Sequence, residues 1–305
     1  EEDLKKGLPK IPRRQIDQYV YSKYYEAWTC AKSGNFQKAI TMADALLFLE
    51  PKSRYRSKLG ELRRYCDHRL TQETLCEAKI VPSKRVAIRG EKLECILQIQ
   101  NRRQKEIEFS FGAEGRGFAV INQTVRVPAL RGDEHQFNQS RQVHFENQIP
   151  IAVDAQWEHT FLVDTGSELN ISEDLQVITV EGWMLPQKIQ LAAGSMTKRI
   201  IFEPAEILVI AKKYEPDLAH PLAGLRRAIE SGTVNDVFVL AHLLEGDQKT
   251  VGIGLLIEQL VASKTTSGSA FLTQLLTFLT GEKLGSRREK WIQWWKDRNE
   301  KKDSK

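Results

Sequence analysis

Cysteine is scarce in this chain, and the patterns that would give it chemistry are missing. The 305 residues hold four cysteines, Cys30, Cys66, Cys76 and Cys95, far apart and without a Cys-x-x-Cys pair. Zinc-ligand spacing and a disulfide-built scaffold are therefore excluded. Cys30 lies among small residues of a helix and reads as packing. Cys66 and Cys76 are compatible with one bridge in an exported protein, which the sequence does not require. Long apolar runs are absent too: none approaches the ~20 residues that span a bilayer. No G-x-S-x-G elbow, H-E-x-x-H helix, Walker loop or EF-hand loop occurs. These absences argue against an enzyme and against a bound cofactor or metal. The glycine-rich Gly112-Ala113-Glu114-Gly115-Arg116-Gly117 does not open a helix after a first strand, as a dinucleotide site does, and reads as a hairpin tip.

Charge is present but uneven. The formal net charge of +5 divides into +5 for residues 1–75 (15 basic against 10 acidic), −2 for residues 76–215 (17 against 19) and +2 for residues 216–305 (13 against 11). The first segment carries the excess through Lys10, Arg13, Arg14, Arg54, Arg56, Lys58, Arg63 and Arg64. No element that reads bases accompanies it, so a solvated helical face is expected and nucleic acid is not. The chain opens Glu1-Glu2-Asp3 without methionine or a recognisable signal peptide, a start that a mature processed product and a trimmed chain would share. A periplasmic or secreted location in a bacterium is the expectation, with a cytoplasmic one as the alternative.

Three patterns follow one another along the chain. In residues 1–74 the spacing is helical: one helix through Tyr21, Tyr24, Trp28 and Ala31, and a turn at Ser33-Gly34-Asn35. A second helix follows from Phe36 to Leu49, stopped by Pro51, and a basic third runs from Ser53 to Arg69. Over residues 75–213 the period changes to two. Strands are predicted at Cys76–Val81, Leu93–Gln100, Ile107–Phe111, Phe118–Val127, Gln142–Phe145, Trp157–Asp164, Gln176–Trp183, Ile189–Ala192 and Ile200–Ile210. Turn residues recur at Arg89-Gly90-Glu91, Asn101-Arg102-Arg103, Arg131-Gly132-Asp133 and Thr165-Gly166-Ser167, which argues for an antiparallel β-sandwich. Residues 214–305 return to helix, predicted at 218–231, 234–245, 248–263, 269–280 and 287–299, with Pro216 and Pro221 at the boundary. Gly232, Gly246 and Gly281 stand where helices should end. Thr233 with Asp236, and Ser286 with Glu289, have capping-box spacing.

The last of these helices holds three of the six tryptophans. Trp291, Trp294 and Trp295 fall at i, i+3 and i+4 and so share one face. That face should close a helical stack against Leu255–Leu260 and Leu272–Leu279.

Resemblances accompany each segment. Ala27, Gly34, Phe36, Ala39, Ile40, Leu49 and Pro51 stand at the characteristic positions of a tetratricopeptide (TPR) hairpin, which residues 20–53 resemble; Lys23 and Leu46 depart from that pattern. The run Arg89-Gly90-Glu91-Lys92-Leu93 to Ile99-Gln100-Asn101 looks like the opening strands of immunoglobulin-like modules in exported bacterial proteins. Residues 216–300 resemble HEAT or armadillo-type helix pairs, and Leu279-Thr280-Gly281 with Trp291-x-x-Trp294-Trp295 looks like a terminal HEAT-like unit. The resemblances imply a multidomain α and β chain: a TPR-like hairpin, a central β-sandwich and a HEAT-like domain.

Several constellations combine residue types that carry chemistry. His135, His144 and His159 fall in the strand region with Asp133, Glu134 and Glu158, but their spacing matches no metal motif, and surface or strand-edge histidines are the simpler reading. His220 reads as a helix-start residue and His242 as partly buried. Arg131-Gly132-Asp133 matches the integrin tripeptide, which a polar turn explains as well. Asn122, Asn138 and Asn170 have glycan-acceptor spacing, relevant only in a secreted eukaryotic protein. The candidate partner-binding residues are Tyr21, Tyr24, Trp28 and Lys32. They share a stripe of the first helix, and the resemblance to a TPR hairpin implies that this stripe lines a peptide-binding concave face. Packing against the sandwich or the third helix is the competing reading. The function expected is that of a non-enzymatic interaction or scaffold protein whose partner is another protein or peptide. The alternatives are a hydrolase using Asp154, Glu158 and Asp164, or a glycan-binding sandwich using Trp157 and Trp183.

Overall fold

A computed structural model describes residues 12–112, 116–128, 135–166, 174–192 and 194–303. It is a mixed α and β structure in which helices at both ends flank a central curled sheet. Three helices come first: α1 (Arg13–Lys32), α2 (Phe36–Leu49) and α3 (Arg56–Thr74). Asn35 caps α2 by accepting from the Lys38 N–H, and the small faces Ala27, Ala31, Ala39 and Ala43 are buried where the helices pack closely.

Among the described residues twelve strands follow. They are β1 (Cys76–Pro82), β2 (Val86–Ile88), β3 (Lys92–Asn101), β4 (Ile107–Ser110), β5 (Gly117–Val127), β6 (His135–Phe145), β7 (Gln148–Ile151), β8 (Gln156–Asp164), β9 (Leu175–Met184), β10 (Lys188–Leu191), β11 (Gly194–Met196) and β12 (Ile200–Ile210). The larger sheet runs β6-β5-β9-β12-β1-β3-β8, with β2 also on β12, and curls into a half-barrel. A four-stranded sheet, β11-β10-β4-β7, shares its core: Ile107, Phe109, Ile149, Ile151 and Ile189 pack with Leu97, Ile121 and Phe202.

The expectation of an antiparallel arrangement needs correction. β12 pairs in parallel with β1 and with β2, so the large sheet is mixed. The first and last strands run in the same direction, and the intervening strands provide the long connection that parallel pairing requires. Three strands, β2, β7 and β11, were not expected from the sequence, and β6 begins at His135 rather than at Gln142.

Beyond a 3-10 turn at Lys212–Asp217 lie α4 (Pro221–Ser231), α5 (Val234–His242), α6 (Gly246–Ala262), α7 (Thr266–Thr280) and α8 (Arg288–Asp303). Gly232 and Gly281 end α4 and α7 with φ of 70° and 74°, a backbone region that glycine adopts without a Cβ clash. Three local expectations are corrected. Gly246 starts a helix instead of ending one, because α5 stops at His242. Thr233 precedes α5 but makes no side-chain cap; its hydroxyl is spent on Ser231. Helix α8 starts at Arg288, two residues after Ser286, so Ser286 does not cap it. All four cysteines are free thiols, with no bridge between Cys66 and Cys76. Burial pushes the Cys76 thiol up to about 12 and Cys95 to about 11, so both stay protonated packing groups.

The tryptophan face of α8 packs as expected in one part. Trp291 is fully buried among Leu256, Leu260, Leu272 and Leu279, and its indole N–H donates to the Gly285 carbonyl at 2.8 Å. Trp294 and Trp295 are half-buried at the edge of the same cluster. Trp291→Ala should therefore cost about 3–5 kcal/mol, and Trp294→Ala about 1–2 kcal/mol. Thermal unfolding of the two variants checks the order.

His242, also inside this core, is 3% exposed between Phe238 and Phe278. Its Nδ1 pairs with the Phe238 carbonyl at 2.7 Å, and its Nε2 has no partner. Burial lowers its pKa from about 6.5 to about 4, and the cations Arg126, Arg85 and Lys249 push the same way. The folded protein thus resists protonating this ring, whereas the unfolded chain does not. Stability is fully present above about pH 6.5 and falls by about 3 kcal/mol as the pH drops towards 4. His242→Gln should flatten that part of the acid limb; denaturant melts at pH 7 and pH 4.5 provide the measurement.

Candidate functional site

The aromatic stripe of α1 meets Tyr55, the residue just before α3, and Tyr65 on α3. Tyr21 and Tyr24 lie 5.6 and 6.5 Å from the Tyr55 ring, the latter nearly parallel to it, and Trp28 lies 6.2 Å from Tyr65. Tyr65 in turn meets the buried Phe36 edge-on. These rings are not sealed: Tyr21 is 53% and Tyr65 46% exposed, and Tyr24, Trp28 and Tyr55 are half-buried. Cations lie over three of the rings. The Lys32 ammonium is 5.7 Å from the Trp28 centroid, the Arg54 guanidinium 4.9 Å from Tyr55, and that of Arg69 5.9 Å from Phe36. The α1 stripe thus packs on the third helix with one side and faces solvent with the other. Tyr55 and Tyr65 were not singled out in the sequence; their placement at the start of α3 and ten residues later was the available signal.

A second set of features lies where inner-face side chains of β5 and β6, Gln123 and Arg141, reach the backbone of β8 at Asp164 and Leu162. A cavity of about 580 Å³ is lined by Gln123, Val125, Phe137, Arg141, Leu162 and Asp164, among others. Further along, a cavity of about 670 Å³ is lined by Arg116, His144, Glu146, Trp157, Glu158 and His159. There the Trp157 and His159 rings stack at 5.9 Å with 8° between their planes, and Phe145 meets both edge-on. Desolvation lowers the His159 pKa, against the opposing pull of the Glu146 carboxylate.

The other candidate residues form no shared centre among the described residues. His144, His159 and Glu158 share the second cavity, but among the described residues no group of His, Cys, Asp and Glu has metal-binding geometry. Asp133 and Glu134 lie outside the described residues, as do Arg131, Gly132 and Asn170. Glu158 and Asp164 are six residues apart on one extended strand, about 20 Å at ~3.3 Å per residue. That exceeds the ~5–10 Å of a glycosidase carboxylate pair. Asp154 sits in the turn before β8 with φ 57°. Trp183, on β9, is covered by the Arg199 guanidinium at 4.4 Å, four strands away from Trp157. Asn122 and Asn138 lie within the paired strands β5 and β6, where Thr124 donates to Asn138 at 2.9 Å. No helix of the described residues is long and apolar enough to cross a membrane.

The chain matches no protein-family profile and no curated protein sequence. Among solved structures it is similar to the sporulation control protein Spo0M from Bacillus subtilis, at 12% identity over 52% of this chain and 55% of that one, with a TM-score of 0.28. It is also similar to the Pseudomonas fluorescens alkylpurine DNA glycosylase AlkC bound to DNA, at 9% identity over 57% and 48%, TM-score 0.22. A PapD-like domain of human CEP192 matches at 8% identity over 44% and 86%, TM-score 0.20. The matches span about half the length of the first two chains.

Proposed function

We propose that this protein is a non-enzymatic interaction protein that holds an acidic segment of another protein along the α1–α3 face. The carrying observation is the row of half-exposed rings, Tyr21, Tyr24, Trp28, Tyr55 and Tyr65, with Lys32 and Arg54 set over it. Aromatic rings offer large contact area with little entropy to lose, and the cations select carboxylates. In this reading α1–α3 act as a TPR-like unit, the two central sheets as an immunoglobulin-like sandwich and α4–α8 as a HEAT-like support closed by Trp291. The location proposed is periplasmic or secreted. A second reading, glycan binding, is favoured by the Trp157–His159 stack beside Glu146 and Glu158, a ring platform with flanking hydrogen-bonding acids. The helix face is preferred because more rings and more cations converge there.

Lys32→Glu and Tyr21→Ala test the preferred reading. Each should weaken binding of a fluorescein-labelled acidic, tyrosine-containing peptide by about 1 kcal/mol, roughly fivefold in Kd, while leaving the melting temperature unchanged. Anisotropy titrations measure this, and equal affinity in wild type and both variants would remove the helix face from consideration.

A further inference from the structure

The aromatic face of α1 carries a spacing as well as a composition. We propose, resting on the helix-face reading above, that the acidic segment held there is an extended polyproline II helix with the pattern Glu-Pro-x-x-Pro-Glu.

Spacing is the first argument. Tyr21, Tyr25, Trp28 and Lys32 stand at i, i+4, i+7 and i+11 of α1, one stripe along its length. Tyr21 meets Tyr55 at one level and Trp28 meets Tyr65 at another. From Tyr21 to Trp28 the helix advances seven residues, ~10 Å at ~1.5 Å per residue. One turn of polyproline II, three residues at ~3.1 Å each, advances ~9 Å. Prolines three apart therefore fall on the two ring pairs in succession. A guest α-helix also repeats over that length, after two turns, so the chemistry of the lining decides between them.

The lining is made of rings and hydroxyls. Tyr21, Tyr25 and Tyr65 are exposed, and among the described residues the hydroxyls of Tyr21, Tyr25, Tyr55 and Tyr65 bond no protein group. These donors call for free acceptors. A polyproline II backbone makes no hydrogen bonds of its own and leaves its carbonyls open, whereas a helix has spent all but its last ones. Proline also presents a compact apolar ring to the aromatic faces, and its fixed φ leaves less entropy to lose on docking.

The cations set the two ends. The Arg54 guanidinium lies over Tyr55, at the Tyr21 level, and the Lys32 ammonium lies by Trp28, one helical turn beyond that ring. Tyr21 and Lys32 are eleven residues apart on α1, ~16 Å. Five steps of polyproline II cover ~16 Å as well. Glutamates at the first and sixth positions thus meet the cations while the prolines between them meet the rings. Arg54 stands 3.8 Å from Asp17 but keeps 66% of its side chain exposed, which leaves room for a guest carboxylate. Lys32 has no carboxylate partner among the described residues.

Fluorescein-labelled peptides titrated against the full chain by anisotropy provide the test. Glu-Pro-Ala-Ala-Pro-Glu should bind about tenfold tighter than Glu-Ala-Ala-Ala-Ala-Glu. A third alanine between the prolines should cost a similar factor, because prolines and glutamates then lose register. Tyr21→Phe combined with Tyr65→Phe keeps the rings and should weaken the proline peptide about fivefold through the lost donors. In Lys32→Glu the preference should move to Glu-Pro-Ala-Ala-Pro-Lys, a reversal that misfolding cannot mimic. Equal binding of the proline and alanine peptides, indifference to the inserted alanine, or an unchanged preference in Lys32→Glu overturns the proposal. The acidic tyrosine peptide separates this proposal from the helix-face reading beneath it. If that peptide binds and the proline peptide does not, the face stands and its occupant is not polyproline II; if neither binds, both fall.

Discussion

Strand β12 has a core on each side, and the need to bury both of its faces fixes where the rest of the molecule sits. Ile207 and Val209 point into the core shared by the two sheets, while Leu208 and Ile210 point into the core built by α4–α8. β9 divides its residues in the same way, with Ile178 and Val180 on one side and Leu175 and Val177 on the other. A sheet segment apolar on both faces must be covered on both. The C-terminal helices therefore share a core with the sheet. A polar clamp holds their junction in register: the Tyr214 hydroxyl lies 2.6 Å from Asp236 and 3.1 Å from Asp174, and Lys213 pairs with Asp174 at 2.6 Å. Burial and the two carboxylates keep the phenol protonated, so it remains a donor.

The N-terminal helices are joined to the same sheet by different means. α3 passes through Leu75 directly into β1, and Arg103 from the end of β3 reaches back to the Thr74 carbonyl. Lys198 pairs with Asp67 at 3.1 Å, which ties the start of β12 to the middle of α3. One face of α3 is committed to this anchorage. Tyr55 and Tyr65 lie on the remaining surface, where the α1 stripe meets them. The aromatic face thus follows from how α3 is anchored.

Helical spacing made the helices legible in the sequence, because each is long enough to show several turns of periodicity, and Gly232 and Gly281 marked two of their ends, whereas the capping-box spacings at Thr233 and Ser286 marked none. The long strands were legible for the same reason. Val86–Ile88 and Gly194–Met196 were not, since three residues hold too little alternation to stand out. β6 was half-legible: Val143 and Phe145 alternate with polar residues, but His135-Gln136-Phe137-Asn138-Gln139-Ser140 carries one apolar residue in six. An edge strand has one partner and little to bury, so its pattern fades. Parallel pairing of β1 with β12 left no local mark, as it depends on residues over 120 positions apart, Lys79 and Glu203. The candidate site shows the same limit. The α1 stripe was visible within one helix, whereas its partners on α3 and the contacts of β6 with β8 arise only when distant segments meet.

The weak pattern of β6 has a physical use. A long unpaired edge invites indiscriminate pairing, and proteins restrain such edges with charge and polarity. Here Gln136, Asn138, Ser140 and Gln142 face outward, and Arg141 extends across to the neighbouring edge instead of leaving it bare. Exposed apolar surface nearby is sparse: Phe137 on the inner face of β6, Phe118 on β5, and Leu162, which alternates with the buried Phe161 and Val163 and so faces outward. A strand laid along this outward face would bury mostly amide and hydroxyl groups and gain little over water, so the polarity of β6 leaves its edge single.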